Sequence, residues 1–265
     1  KYPMAGEKSH KVSIGVFNPA NEQTVWLQTG DATDRYFTNI AWSPDNKKIY
    51  VIELNRDQNH AQLVCYNAAN GKKEEVLYEE KHPKFVEPQH PIVFLPWDSN
   101  KFIYQSQRDG YNHLYLFDLK SPLYDNFKNA ADGATYKEYV KVEQLTSGPW
   151  VVLNMLGFNE KEKSILIRSN EQNPIQYTLN SVNVSNKKRT LIGTSEGVHQ
   201  GNLSADGQYI IDTYSSPKIA RSINLYATKN GKGINLLTAE DPWKEFNKPE
   251  IVGGHIKASD DSTDL

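Results

Sequence analysis

The stretch KFIYQSQRDGYNHLYLF, residues 101–117, decides the fold class of this chain. Two apolar runs, at 102–104 and 113–117, flank the dipeptide Asp109-Gly110. Aromatic and aliphatic residues favour a pleated, half-buried surface, and an Asp-Gly pair supplies the positive φ angles of a tight turn. The stretch therefore predicts a β-hairpin, in which the Asp-Gly pair serves the turn rather than chemistry.

Hairpins of this kind recur along the whole chain. A leucine marks the last apolar run of each unit at positions 27, 77, 145, 191 and 237, so the intervals are 50, 68, 46 and 46 residues. Four short antiparallel strands repeated at such a period are typical of propeller blades. The sequence thus predicts an all-β partial β-propeller, with about four four-stranded antiparallel blades plus part of a fifth. The expected blades are 1–30, 31–80, 81–148, 149–195 and 196–250, within a propeller region of 1–250.

The 68-residue interval is longer than the other three. Polar residues and Gly133 crowd the segment Ser121–Tyr139 within it, and we interpret this segment as a long surface loop. Single-chain propellers usually close with more blades than are counted here. The count therefore favours the later half of a larger wheel, and hence a piece of a longer protein.

The composition excludes several classes of function. The 265 residues carry 30 Lys+Arg against 32 Asp+Glu, a formal net charge of −2, so no basic block is present to bind nucleic acid. No run approaches the ~18 apolar residues of a membrane-spanning helix. Cys65 is the single cysteine, which forbids an intramolecular disulfide and a cysteine-based zinc site. The seven histidines lack metal-ligand spacing, so we expect neither a metal nor a cofactor.

Residues 193–197 read Gly-Thr-Ser-Glu-Gly, which matches the nucleophile-elbow pattern Gly-x-Ser-x-Gly. That elbow needs a strand before the serine and a helix after it. Strand-like residues follow the motif instead. We therefore interpret Ser195 as part of a blade-to-blade turn and His199 as a strand residue.

Two acidic pairs, Glu74-Glu75 and Glu79-Glu80, are further candidates for binding chemistry. They lie on either side of a short apolar run at a blade edge, and the first pair follows an Asn-Gly-Lys-Lys turn. We expect a solvated face here rather than a clamp for the amino terminus of a substrate.

Several motifs together carry a resemblance to a known family. They are Tyr2-Pro3-Met4-Ala5-Gly6 with the strand-like run 12–16, Ile40-Ala41-Trp42 with Asp45, the hairpin residues 107–115, and the run LTSGPWVV at 145–152. In this order and spacing they resemble the propeller domain of the dipeptidyl peptidase IV family of serine exopeptidases. The resemblance spans essentially the whole chain.

The resemblance implies that this chain frames a reaction that other segments carry out. In that family an N-terminal eight-bladed propeller covers an α/β-hydrolase domain, and peptide substrates bind in the cavity between them. The paired glutamates that bind the substrate's amino terminus would precede Lys1, and the Ser-Asp-His triad would follow Leu265, so we expect no catalytic residue here. Residues 251–265 resemble the linker strand toward the absent hydrolase domain.

The resemblance also implies properties of the parent protein. It would be a serine-type dipeptidyl peptidase that releases X-Pro or X-Ala dipeptides from a free amino terminus. Its expected location is the periplasm or the cell surface, and a homodimer is one option for its assembly. Its partners would be the peptide substrate, the absent N-terminal blades and the absent hydrolase domain.

The segment KHPKFVEPQHP, residues 81–91, is the candidate substrate-binding loop. Its prolines make it stiff. In the family the corresponding connection reaches the cavity with an aromatic residue and basic groups, which the resemblance carries onto Phe85, with Lys84 or His82 supplying the charge. Exposed loop aromatics do mark binding sites; the alternative is a packed linker phenylalanine.

A second class of function stays open, because a fold does not determine a function. A stand-alone propeller acting as a protein-binding scaffold fits the blade pattern equally well. The reading frame beyond Leu265 separates the two hypotheses. A Gly-x-Ser-x-Gly motif followed by helical sequence there favours the peptidase.

Overall fold

The structure is a computed structural model that describes residues 4, 6–130, 132–247, 249, 252 and 254–264. Within these residues the chain forms eighteen β-strands and no helix, and hence no helix that could cross a membrane. The strands are β1 (Gly15–Asn18), β2 (Gln23–Trp26), β3 (Arg35–Trp42), β4 (Lys48–Asn55), β5 (His60–Asn67), β6 (Lys73–Lys81), β7 (Val93–Leu95), β8 (Asp98–Ser106), β9 (His113–Asn129), β10 (Thr135–Gln144), β11 (Val152–Asn159), β12 (Ser164–Ser169), β13 (Thr178–Asn183), β14 (Arg189–Ile192), β15 (Val198–Leu203), β16 (Tyr209–Ser216), β17 (Ile219–Ala227) and β18 (Gly233–Thr238).

The strands form antiparallel sheets whose order largely follows the chain. Strands β11–β14 and β15–β18 are each a four-stranded meander, and β1 pairs with β2. Strands β3 to β10 form one eight-stranded sheet in the order β3-β4-β5-β6-β10-β9-β8-β7. That sheet consists of two four-stranded meanders joined through their last strands, β6 and β10. These repeated four-stranded units confirm the prediction of an all-β partial propeller.

The core lies between the faces of neighbouring blades, because a blade cannot bury both of its faces alone. The largest cluster joins aromatic side chains of β4, β6, β8 and β9: Tyr50, Tyr78, Phe102 and Phe117 are at most 1% exposed. Phe102 stacks on Phe117 with ring centroids 4.9 Å apart. Burying one such side chain is worth about 1.5–3 kcal/mol, so this cluster couples the two halves of the eight-stranded sheet.

The expectation of a long surface loop at Ser121–Tyr139 is wrong. Strands β9 and β10 continue there as a hairpin, and beyond their paired residues the amide of Gly133 donates to the carbonyl oxygen of Ala130 at 3.2 Å. On β10, Tyr136, Glu138 and Val140 are at most 5% exposed and alternate with half-buried residues. This period of two is typical of a strand with one buried face, and the polar composition of the segment concealed it. We name residues 121–139 the clasp hairpin.

The clasp hairpin joins the outer strands of two neighbouring blades. Its strand β10 pairs with β6, with Thr135 opposite Lys81 and Glu138 opposite Tyr78. The pairing satisfies backbone groups that an edge strand would leave open. It also brings the tip of the hairpin to the end of β6, where the connection to the next blade begins.

The segment after β18 differs from the blades. Lys257 and Asp264 form an isolated antiparallel bridge there, and Asp260 accepts the amide of Thr263 at 2.8 Å in the turn between them. Outside the described residues lie Ile251, Gly253 and Leu265 of the expected linker strand, and Tyr2, Pro3 and Ala5 of the first family motif. The linker toward another domain therefore stays a prediction.

Candidate functional site

The loop between β6 and β7 is tied to the neighbouring turn of its blade. The amide of His82 donates to the carbonyl oxygen of Asn59 at 3.0 Å, and the amide of Val86 donates to that of Gln58 at 2.7 Å. Val86 itself is 5% exposed and packs in the aromatic cluster. The residues between these two anchors therefore have a defined position.

Phe85 lies between the anchors and faces solvent. Its side chain is 56% exposed, in contrast to that of the next residue, Val86. Lys84 is exposed as well, and on the far side of the loop Asn39 Nδ2 donates to the carbonyl oxygen of Pro88 at 3.0 Å. An exposed ring next to an exposed ammonium group suits contact with the apolar and anionic groups of a peptide. Substrate contact by Phe85 and Lys84 stays a prediction.

His82 is engaged with the loop itself. Its Nδ1 accepts hydrogen bonds from the amides of Lys84 at 3.0 Å and Phe85 at 3.1 Å, so the ring hydrogen is assigned to Nε2. Nε2 lies 3.4 Å from Oδ2 of Asp132, at the tip of the clasp hairpin. The imidazole therefore supports the backbone of Phe85, and a direct role for His82 toward substrate stays a prediction.

An open surface depression of about 420 Å³ lies where the clasp hairpin meets this loop. Asn59, His60, Lys81 and Gly133 are among its lining residues. The His60 ring and the Lys81 ammonium both contact the carboxylate of Glu79, at 3.0 and 2.9 Å. The depression thus offers hydrogen-bonding groups whose charges are largely balanced within the protein.

A buried cation near the end of β6 escaped the sequence reasoning. Arg108 is 9% exposed, and its guanidinium carbon lies 4.2 Å from the ring centre of Tyr78 and 4.1 Å from that of Tyr115. Its Nη1 donates to Oε1 of Glu138 at 3.0 Å. A buried charge requires such a partner. The only local signal was an arginine placed directly before the turn in an aromatic-rich hairpin.

The expectation of a solvated acidic face is wrong for Glu80. This side chain is 8% exposed, and its Oε2 accepts a hydrogen bond from the Tyr78 hydroxyl at 3.0 Å. Burial raises the pKa of Glu80 above its ordinary value, although the positive charge of Arg108 opposes the shift. The other pair, Glu74-Glu75, is exposed as expected.

The Gly-x-Ser-x-Gly match at 193–197 forms the turn between β14 and β15. A strand follows it at once, so the helix that a nucleophile elbow needs does not follow Ser195. His199 is fully buried, with Nδ1 2.8 Å from Oδ2 of Asp212 and Nε2 3.0 Å from the carbonyl oxygen of Glu196. The imidazole of His199 therefore links this turn to β16 through hydrogen bonds.

Metal-ligating side chains and the single cysteine were the other candidates for chemistry. The described part of the chain contains no group of three or more His, Cys, Asp or Glu side chains placed to hold a metal ion. Cys65 is buried, and burial raises the pKa of its thiol to about 12. A thiol in that state is neutral at physiological pH and a poor nucleophile.

Stacked four-stranded blades define this chain as part of a propeller, and the loop between β6 and β7 presents an exposed aromatic side chain. The family model for the dipeptidyl peptidase IV (DPP IV) N-terminal region matches residues 1–221. The chain therefore belongs to the dipeptidyl peptidase IV N-terminal region family.

Solved structures and relatives agree with this assignment. A crystal structure from Bacteroides ovatus, of a protein assigned as a dipeptidyl aminopeptidase IV, is 50% identical with a TM-score of 0.91; the match covers 100% of this chain and 38% of that one. Dipeptidyl peptidase 4 of Porphyromonas gingivalis shares the fold, with a TM-score of 0.72 at 23% identity over 90% of this chain and 31% of its own.

Curated relatives point the same way. Dipeptidyl peptidase 4 of Trichophyton rubrum is 23% identical over 269 residues, which cover 97% of this chain and 32% of the relative. Inactive dipeptidyl peptidase 10 of Mus musculus is 26% identical over 182 residues, or 65% of this chain and 21% of the relative. The chain thus spans about a third or less of the curated relatives it matches.

Proposed function

We propose that this chain is the non-catalytic propeller portion of a serine exopeptidase that releases X-Pro or X-Ala dipeptides from free amino termini. The observation that carries the proposal is the match to the Bacteroides ovatus structure, which extends over 100% of this chain at 50% identity. The propeller's role is to restrict access to the substrate cavity and to frame it. Bond cleavage by acyl transfer belongs to segments outside residues 1–265.

Within this role, the loop at 81–91 contacts the part of the peptide that follows the released dipeptide. Phe85 supplies an apolar ring, and Lys84 supplies a positive charge for acidic side chains or a nearby carboxyl terminus. The support for this assignment is the 56% exposure of Phe85 on a loop that is hydrogen-bonded on both sides. A rigid aromatic group binds with little loss of conformational entropy.

The test uses the intact protein that contains this chain and two substrates, a Gly-Pro reporter and a pentapeptide that begins Gly-Pro. Phe85→Ala is expected to raise KM for the pentapeptide about three- to tenfold, with a smaller change in kcat, because binding after the scissile bond is lost. Phe17→Ala, another exposed phenylalanine at 58%, is the matched control. Unchanged pentapeptide kinetics would remove Phe85 from the site.

A non-enzymatic scaffold remains the second candidate, because one relative carries the name inactive dipeptidyl peptidase 10. In that case the intact protein would lack turnover of the Gly-Pro reporter, although it keeps the propeller. Turnover would exclude this candidate.

We further propose, from the family resemblance, a periplasmic or cell-surface location and assembly as a homodimer. Cell fractionation would test the location, and light scattering would test the assembly.

A further inference from the structure

The tip of the clasp hairpin lies against the candidate substrate-binding loop. Thr135 and Lys81 form the last pair of the β6–β10 ladder on this side, so the turn residues Asp132 and Gly133 lie beside the first residues of the loop. A Cβ atom on Gly133 would stand 3.1 Å from Cγ of Pro83. The two segments are therefore in direct contact.

Asp132 extends this contact through polar groups. Its Oδ1 accepts the amide of Ala134 at 3.0 Å, which shapes the turn, and its Oδ2 lies 3.4 Å from Nε2 of His82. On the other side of the ring, Nδ1 accepts the amides of Lys84 and Phe85. One carboxylate thus orients an imidazole, and the imidazole orients the backbone that carries the exposed aromatic ring.

The hairpin that carries Asp132 is itself held in place. Glu138 accepts hydrogen bonds from Arg108 at 3.0 Å, Asn126 at 2.8 Å and Lys128 at 2.7 Å. The hydroxyl of Tyr136 donates to the carbonyl oxygen of Arg108. A buried and fully paired carboxylate of this kind locks the register of the hairpin, so the position of Asp132 is set by the body of the blade.

We propose that Asp132 is a positioning residue that acts through His82 to set the orientation of Phe85. Asp132 thereby determines how well the protein accepts peptides longer than the released dipeptide. The inference rests on the proposed function, in which Phe85 contacts the substrate beyond its first two residues. In this proposal the clasp hairpin orients the loop that selects substrates, and it also links two blades.

The first experiment measures the loop itself, by amide hydrogen exchange in the intact protein. Asp132→Ala is expected to speed exchange in peptides that cover Lys84 and Phe85 about three- to tenfold, as the weakening of one hydrogen bond predicts. Asp206→Ala is the control, because Asp206 also accepts an amide two residues on, from Gln208 at 3.0 Å, in a distant turn. Unchanged exchange in Asp132→Ala would overturn the proposal.

A double-mutant cycle shows whether Asp132 acts through His82. In His82→Asn the side-chain oxygen can still accept the amides of Lys84 and Phe85, as asparagine does in Asx turns. The shorter asparagine side chain does not reach Asp132. Asp132→Ala should therefore have no further effect on exchange at Lys84 and Phe85 in the His82→Asn background. An equal effect in both backgrounds would mean that Asp132 supports the loop by another route, and the proposal would fall.

The kinetic arm separates this inference from the proposed function. Kinetics are measured with the pentapeptide and with the Gly-Pro reporter. Asp132→Ala should lower kcat/KM for the pentapeptide about three- to tenfold more than it lowers kcat/KM for the reporter. It should add nothing in a Phe85→Ala background. Faster exchange together with unchanged Phe85→Ala kinetics would refute substrate contact by Phe85 while the positioning role stands. Altered Phe85→Ala kinetics with unaltered exchange in Asp132→Ala would refute the positioning role alone.

Discussion

Arg108 and Glu138 form an ion pair inside the protein, with Nη1 3.0 Å from Oε1 and side chains that are 8% and 3% exposed. Arg108 precedes the turn between β8 and β9, and Glu138 belongs to the clasp hairpin. The second carboxylate oxygen of Glu138 accepts from Asn126 and Lys128. This pair therefore connects the clasp hairpin to the body of the blade.

Glu138→Ala is expected to lower the free energy of unfolding by about 3–5 kcal/mol, because the buried Arg108 would lose the carboxylate that accepts its hydrogen bond. Denaturant unfolding measures the change as a shift of the midpoint. Glu143→Ala is the control: its carboxylate lies 2.8 Å from Lys187, but both side chains are at least 40% exposed. The control should lose less than about 1 kcal/mol. Equal losses in the two variants would contradict a structural role for the buried pair.

Two substitutions in the 193–197 turn should differ in their effect on stability. Ser195→Ala is expected to change neither turnover of a Gly-Pro reporter nor stability beyond about 0.5 kcal/mol, because Ser195 is exposed in a turn. Gly197→Ala should lower stability by at least about 1 kcal/mol, since Gly197 has a φ of +98° and a Cβ would lie 2.4 Å from the carbonyl oxygen of Ser215. Lost turnover in Ser195→Ala with normal thermal unfolding would restore Ser195 as a catalytic candidate.

Glu80→Gln is expected to change how stability depends on pH. Burial raises the folded-state pKa of Glu80 above its ordinary value of 4.5, so the folded state binds this proton more tightly than the unfolded chain does. Ionisation of Glu80 therefore destabilises the folded state. The loss of stability grows as the pH rises from about 4.5 and is complete once the pH exceeds the raised folded-state pKa. Glutamine stays neutral and keeps an acceptor for the Tyr78 hydroxyl.

The variant should accordingly gain stability over the wild type at pH 8 and gain less at pH 4. Denaturant unfolding at both pH values measures the difference, with Glu143→Gln as an exposed control. The same difference at the two pH values would show that Glu80 does not titrate in the way its burial implies.

The blade formed by β15–β18 presents an apolar sheet face that should promote self-association of residues 1–265 when they are produced on their own. Strand register places Ile211 opposite Leu225 and Leu225 opposite Ile234, so these side chains share one face. Ile211 and Ile234 are 43% and 62% exposed. Ile234→Lys is expected to shift the chain toward the monomer in light scattering, because a charge on this face opposes burial. Ile175→Lys, at a turn residue that is 74% exposed, is the control. A wild-type monomer at high concentration would contradict the prediction.

Pairing within each blade could be predicted from the sequence because it is local. Turn pairs such as Asn70-Gly71 and Asp206-Gly207 call for positive φ, and Gly71 and Gly207 have φ values of +71° and +69°. Each pair is followed within a few residues by the strand that it turns. Local propensity and turn chemistry therefore agree with the observed meanders.

The candidate site was predicted only in part. The stiff loop and the family resemblance singled out Phe85, and the structure shows that its side chain is exposed, whereas its contact with substrate stays a prediction. Asp132 and Glu138 both escaped attention because the segment Ser121–Tyr139 was interpreted as a surface loop, in which polar side chains are expected to face solvent. Glu138 can be buried because Arg108, in the turn between β8 and β9, pairs with its carboxylate.

By itself the sequence determined the class of this protein: short alternating strands, turn dipeptides and ordered motifs specify propeller blades of one family. Only the tertiary structure decided which distant side chains meet, namely Arg108 with Glu138 and His82 with Asp132. The physical reason is that strand periodicity depends on neighbours along the chain. The partner of a buried charge, in contrast, depends on how strands and turns that are distant in the sequence meet in the fold.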